Sequence, residues 1–288
     1  MYMTYPMGTY ATLGLQKMTR FSGGYVTLNG GVYQLVASFP RLTSPDPKSA
    51  KYAGISPYSY CAGDPINNID PTGMEINMMG LVLSDQSLNR SVTQDILNDL
   101  EKQTGLQLSI NEEFVLQYAK DDDGNPIVSK TTDKKGKEVD AGSKTARNLL
   151  KNAIDDKRTV EVECGTESAA KGNKIGINYD QINGHIQGAV GVDGNTLGFG
   201  MTFLHELHHS PVGGNLPDEI FNYGTGPVVD RMNQIRSELN NQGFNYGQRL
   251  TYSAFTTERG NIIPFNTRAL GALQYGSYPG DKAKYIKY

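Results

Sequence analysis

His205, Glu206 and His209 are the residues whose types and spacing point most directly to chemistry. They lie in residues 197–210, LGFGMTFLHELHHS, as the pattern H-E-x-x-H. On a helix of 3.6 residues per turn the two histidines stand one turn apart on one face, where two neutral imidazoles can hold a single Zn2+. Glu206, about 100° further round, is placed to take a proton from a water in the metal's open position. Phe203, Leu204 and Leu207 fall roughly 160–260° from His205, so the helix has one apolar side for a core and one side for the metal. Gly198 and Gly200 let the chain enter the site closely. His208 lies about 60° from His205 and flanks the site rather than binding metal. The competing reading of the same residues is a solvated, histidine-rich helix end.

A catalytic zinc site takes three protein ligands and leaves one position to water. No histidine follows His209, so the third ligand is expected to be a carboxylate. Asp230 is the first candidate. Gly226-Pro227 opens a helix whose apolar residues Val228, Val229, Met232, Ile235 and Leu239 form one face, with Asp230 on the other. The Gly-to-Asp spacing resembles the Gly-Thr-x-x-Asp ligand motif of the aspzincins, with Pro227 in place of the threonine. An aspartate in a first helical turn is also favoured by the helix dipole alone. Glu219, Glu238, Asp218 and His185 are the alternatives. For an oxyanion donor the candidates are Tyr246, Arg249 and Tyr252, of which Tyr252 is preferred.

The elements that must position these residues begin after a change in composition. Residues 20–74 are dense in Gly, Pro, Tyr and Asn. Residues 20–33 alternate aromatic or β-branched with polar residues between glycine pairs, a hairpin signal, and residues 56–74 form a string of proline-defined turns. From Glu75 the sequence is of ordinary globular type, which sets the boundary at 1–74 and 75–288. Residues 91–100 read as an amphipathic helix capped by Ser91, and residues 105–110 and 114–118 as strands. Residues 121–126 are a hairpin turn rather than a calcium loop, because they lack the alternating ligands and terminal Glu of an EF-hand. Residues 141–156 read as a helix, and 159–164 and 174–179 as strands, followed by a Gly-rich connection to the metal helix. The stretch 174–179 is the candidate edge strand for pairing with an extended substrate.

The charge balance of −3 excludes a general nucleic-acid or membrane-surface binder. Cys61 and Cys164 make no disulfide framework. No apolar run approaches about 18 residues, so membrane insertion is not expected, and the N-terminus lacks the basic and apolar regions of a standard signal peptide.

Ser44-Pro-Asp-Pro47, Ser56-Pro-Tyr-Ser-Tyr-Cys61, and Asp64-Pro65 through Asp70-Pro-Thr-Gly73 resemble the end of the Rhs-repeat-associated core domain. In that family the core forms a shell around a variable C-terminal toxin, and the motif Pro-x-x-x-x-Asp-Pro-x-Gly-Leu marks the junction, often a self-cleavage site. Pro65, Asp70, Pro71 and Gly73 match it in register, with Met74 in place of Leu. The shell repeats themselves are missing, and Asp70-Pro71 taken alone is a tight turn. An H-E-x-x-H domain after such a junction resembles the zinc-peptidase toxins of polymorphic toxin systems, including those related to NleD-type effectors.

The resemblance implies a zincin-like α+β domain: a small mixed sheet on the metal helix, closed by a second helical lobe and preceded by a short β-rich remnant. It implies a zinc endopeptidase with His205, His209 and Asp230 on the metal, Glu206 as general base and Tyr252 assisting, acting on a protein or peptide in a target cell. A cognate immunity protein and delivery to the cell surface or outside go with that reading. The alternative is a structural remnant of an Rhs surface protein that hydrolyses nothing. Bound zinc separates the two.

Overall fold

The computed structural model describes residues 76–218 and 224–288 in full, together with the backbone of a few short strands before them. The chain divides into two compact units, Met1–Gly73 and Met74–Tyr288. In the first, β1 (Met3–Thr4) pairs antiparallel with β2 (Tyr10–Ala11). The strands β3 (Met18–Ser22), β4 (Tyr25–Leu28), β5 (Gly31–Gln34) and β6 (Arg41–Leu42) form an antiparallel meander in that order. The stretch expected as a hairpin over residues 20–33 thus spans the first three strands of a four-stranded sheet. The turn string at 56–74, with the junction motif, lies outside the described residues.

The second unit is a mixed α+β domain. It opens with β7 (Ile76–Asn77), α1 (Met79–Leu88) and α2 (Val92–Thr104). Two antiparallel pairs follow, β8 (Leu108–Ile110) with β9 (Leu116–Tyr118) and β10 (Lys130–Thr132) with β11 (Glu138–Asp140). Next come α3 (Lys144–Asp155), β12 (Val160–Cys164), β13 (Ala169–Lys171), β14 (Lys174–Ile177), α4 (Tyr179–Gln187) and β15 (Ala189–Val190). The metal-helix sequence is α5 (Phe199–His209), and α6 (Gly226–Asn240) comes after it. The chain closes with β16 (Phe255–Thr257), β17 (Gly260–Pro264), α7 (Thr267–Gln274) and β18 (Tyr285–Lys287).

The main sheet runs β13-β14-β12-β7, with β12 parallel to β7 and β14, and β13 antiparallel to β14. Its strands bring Ile76, Val160, Val162, Ile175 and Ile177 into a core shared with Phe203, Leu204 and Leu207 of α5. The apolar face read for α5 is therefore the buried one. The face read for α6 is buried too, through Val228, Val229, Met232, Ile235 and Leu239.

Three local readings change. The N-terminus of α2 is capped by the Asp85 carboxylate, which accepts from the Val92 and Thr93 amides at 3.1 and 2.7 Å, and Ser91 makes no cap bond. A helix, α4, occupies the stretch read as a Gly-rich connection; Asn178 caps it by accepting from Gln181 N at 2.7 Å. In place of a purely helical second lobe, α6 and α7 accompany the antiparallel sheet β15-β18-β17-β16. The turn at 121–126 holds: Asp121 Oδ1 accepts from the Asp123 and Asn125 amides, and Lys120 bridges to Pro126.

Gly200 is where two helices of the core touch backbone to side chain. A Cβ there would sit 2.6 Å from Asp99 Cβ and 2.7 Å from Gln103 Oε1 of α2. Met74–Tyr288 is a compact unit of its own by the division of the chain. A chain beginning near Glu75 is accordingly expected to fold and to bind metal as well as the full chain. Thermal melting and metal titration of the shortened protein check this, and insolubility or a much lower Tm would refute it.

Candidate metal centre

On α5 the His205 and His209 rings come together at one end of the helix, with their Nε2 atoms 3.3 Å apart. Both side chains are partly buried, 17% and 16% exposed. The third group is Asp218, whose Oδ2 lies 3.1 Å from His209 Nε2 and whose Oδ1 lies 3.7 Å from His205 Nε2. Among the described residues this is the cluster of His, Cys, Asp and Glu that could hold a metal ion, its ligand atoms all within 4.8 Å of one another. Tetrahedral zinc with Zn–N of about 2.0–2.1 Å puts two imidazole nitrogens roughly 3.3 Å apart, so the observed spacing fits the ion. Asp218 Oδ1 is buried without a hydrogen-bond partner among the described residues, the state of a ligand atom whose partner is a cation.

The surroundings fix the donors. His209 Nδ1–H donates to the Leu216 carbonyl at 2.6 Å, which directs Nε2 toward Asp218 and His205, as a lone pair in the neutral ring and as an N–H donated to Asp218 in the protonated ring. Leu216 is held in place because the chain turns back after α5: its amide donates to His208 O at 3.0 Å, and Asn215 N donates to Ser210 O at 3.0 Å. Gly214, at φ 103°, occupies the left-handed conformation that this reversal needs. The return loop thus carries both the carbonyl that orients His209 and the carboxylate that completes the group.

The electrostatics divide the two histidines. Burial pushes His205 down to about 3, and the positive charge of Arg249 works in the same direction. His209 is raised, first by its hydrogen bond to Asp218. On Asp218, burial alone would raise the carboxyl, but hydrogen bonds from His209 and the Tyr252 hydroxyl outweigh it and the net shift is downward. Glu206 is buried and its carboxyl is pushed up to about 7 by that burial; a hydrogen bond from the Ala170 main chain opposes the rise.

That contact places the sheet. Ala170 is on β13, the edge strand, while β14, the edge strand expected from sequence, is paired on both sides. The strand beside the acid is β13.

Asp230 is not brought to the histidines. It sits exposed in the first turn of α6 and accepts a hydrogen bond from Thr225 Oγ1, so the expectation of Asp230 as third ligand gives way to Asp218. Glu238 is engaged elsewhere, accepting from Ser143 Oγ at 2.6 Å and Thr145 Oγ1 at 2.7 Å at the start of α3. Glu219 lies outside the described residues. Tyr252 reaches the site through Asp218, whereas Tyr246 is buried away from it and stacks on Phe244 with ring centroids 5.2 Å apart. His208 is buried with neither ring nitrogen hydrogen-bonded among the described residues and is not part of the candidate metal group.

Comparison of the chain with protein-family models, with curated proteins and with solved structures finds no significant match. No helix among the described residues is long and apolar enough to cross a membrane.

Proposed function

We propose that the chain is a zinc-dependent endopeptidase, the toxin domain of an Rhs polymorphic toxin that cuts a protein in a target cell. The observation that carries this reading is the 3.3 Å approach of the two Nε2 atoms with the unpartnered Asp218 Oδ1 beside them. His205, His209 and Asp218 would hold the ion, with Tyr252 beside the aspartate. A zinc ion there would supply Lewis acidity and would acidify a bound water to a pKa of about 7. Glu206 takes the proton from the attacking water and returns it to the leaving amine. Burial raises its carboxyl above the ordinary value, in the direction that favours a group that both takes and returns a proton. The exposed side of β13 receives the extended substrate by strand addition, which holds the scissile bond over Glu206.

The zincin-like fold is supported by the mixed sheet lying against α5 with an edge strand at the acid. The Rhs origin, delivery as an effector and a cognate immunity protein rest on the junction motif at Pro65, Asp70, Pro71 and Gly73. Elemental analysis of the purified full chain is expected to return about one zinc per chain, as one closed ligand set implies. Metal-free protein that still cut peptides, or a chain that took up no zinc, would end the reading.

A further inference from the structure

A cavity of about 360 Å3 has His205 and Glu206 in its wall and continues past them to Arg236, Arg249 and His185. Among the described residues Glu206 is its only acidic wall residue, a buried carboxyl whose protonated form is favoured by that burial. The two guanidiniums have neutral partners. Arg236, 1% exposed, donates to Thr196 O at 3.2 and 3.3 Å and to Asn233 Oδ1 at 3.2 Å. Arg249 donates to the carbonyls of Thr251 and Tyr252. Neither forms an ion pair with a described residue, and each has a pKa lowered chiefly by burial. A buried and a partly buried guanidinium facing one cavity, with no ion-paired carboxylate among the described residues and only the field of Asp218 acting on Arg249, make a positive potential there.

A second observation is independent of those charges. His185 is 9% exposed and lines the same cavity, yet neither of its ring nitrogens has a hydrogen-bond partner among the described residues. Its ring is held edge-on to Tyr288 at 4.5 Å between centroids. A neutral imidazole always carries one N–H, so the wall offers a buried donor with nothing to receive it.

Resting on the peptidase reading, we propose that this cavity receives a carboxylate of the substrate, so that cleavage falls beside an acidic side chain or a free C-terminus. A carboxylate compensates both guanidiniums and accepts from His185, whereas the isosteric amide compensates no charge and brings donors toward cations.

The test uses the full zinc-loaded chain and follows the four histidine rings by NMR during titration. N-acetylglutamate α-amide is compared with N-acetylglutamine α-amide, and N-acetylalanine with its amide; these pairs separate the side-chain from the C-terminal source. The acid member of at least one pair is expected to bind roughly 10–100-fold tighter, shifting the His185 signals. Equal affinities within both pairs overturn the proposal. Repeating the titration after zinc removal guards against a carboxylate bound to the ion, and a preference that vanishes with the metal also overturns it. His185→Phe should lose most of the preference with zinc content unchanged, and His185→Gln should restore part of it; an undiminished preference in His185→Phe removes His185 from the site. Quenched peptides differing only in Glu or Gln beside the bond separate the two levels. Acid-selective binding without cleavage leaves the cavity assignment standing and removes the peptidase, and cleavage indifferent to charge does the reverse.

Discussion

Asp218→Ala is expected to weaken zinc binding by well over the roughly 10–100-fold that follows loss of a group acting behind a ligand. The carboxylate lies within reach of both Nε2 atoms, and without it two imidazoles remain, too few to close a tetrahedral site. Asp230→Ala is the matched control. Its side chain accepts from Thr225 Oγ1 at the exposed start of α6, so its loss should cost only about 0.3–1 kcal/mol of stability and leave the zinc in place. Glu238→Ala should likewise keep zinc while loosening the start of α3, where that carboxylate holds Ser143 and Thr145. Competition for zinc against a chelator of known affinity ranks the three. Wild-type affinity in Asp218→Ala would disprove the ligand set.

Glu206→Gln separates chemistry from binding. Glutamine keeps the size and shape of the side chain but cannot take the proton, so hydrolysis should fall by about 10²–10⁴-fold, the typical worth of a positioned general base. Zinc content should not change, because Glu206 is not in the ligand group. Toxicity on expression should disappear with activity, and a variant that lost its zinc instead would show that the role of this carboxyl has been misassigned. The substitution has a second signature in zinc-free protein. Burial raises the Glu206 carboxyl to about 7 in the folded chain, so ionising it costs stability as pH rises from its unfolded value of about 4.5 through 7. Glu206→Gln has no such cost, and its Tm should exceed that of the wild type at pH 8 and draw level near pH 4.

The parts of this arrangement legible in sequence are those with a short period. The helical spacing of His205, Glu206 and His209 places them together, and Phe203, Leu204 and Leu207 do bury opposite. Pro227 and the apolar stripe of α6 likewise predict a helix that forms. Asp218 was harder to find, because a ligand on a return loop has no periodicity. Its signal was Gly213-Gly214 directly after the helix, a turn that sends the next residues back over the histidines. Asp230 competed for the role because an aspartate in a first helical turn looks the same whether it serves a metal or the dipole. The edge strand was misplaced by one strand: β13 is three residues long, and pairing order depends on contacts that alternation cannot encode. The cap of α2 went to Asp85, several residues upstream of Ser91, since a carboxylate from a neighbouring helix end can serve the same amides.

All three donor atoms of the metal group come from residues 205–218, a single helix end and the loop that folds back on it. Closing a loop of that size carries little entropy and takes on the order of 10–100 ns. The groups proposed to recognise substrate are scattered instead, from His185 on α4 to Arg249 beyond α6. Metal capture and substrate recognition therefore mature at different times as the chain folds. On the proposed reading, a partly folded chain would hold its ion before the walls of the cavity meet, so metal binding would report on the helix end and its return loop alone and not on a finished substrate site.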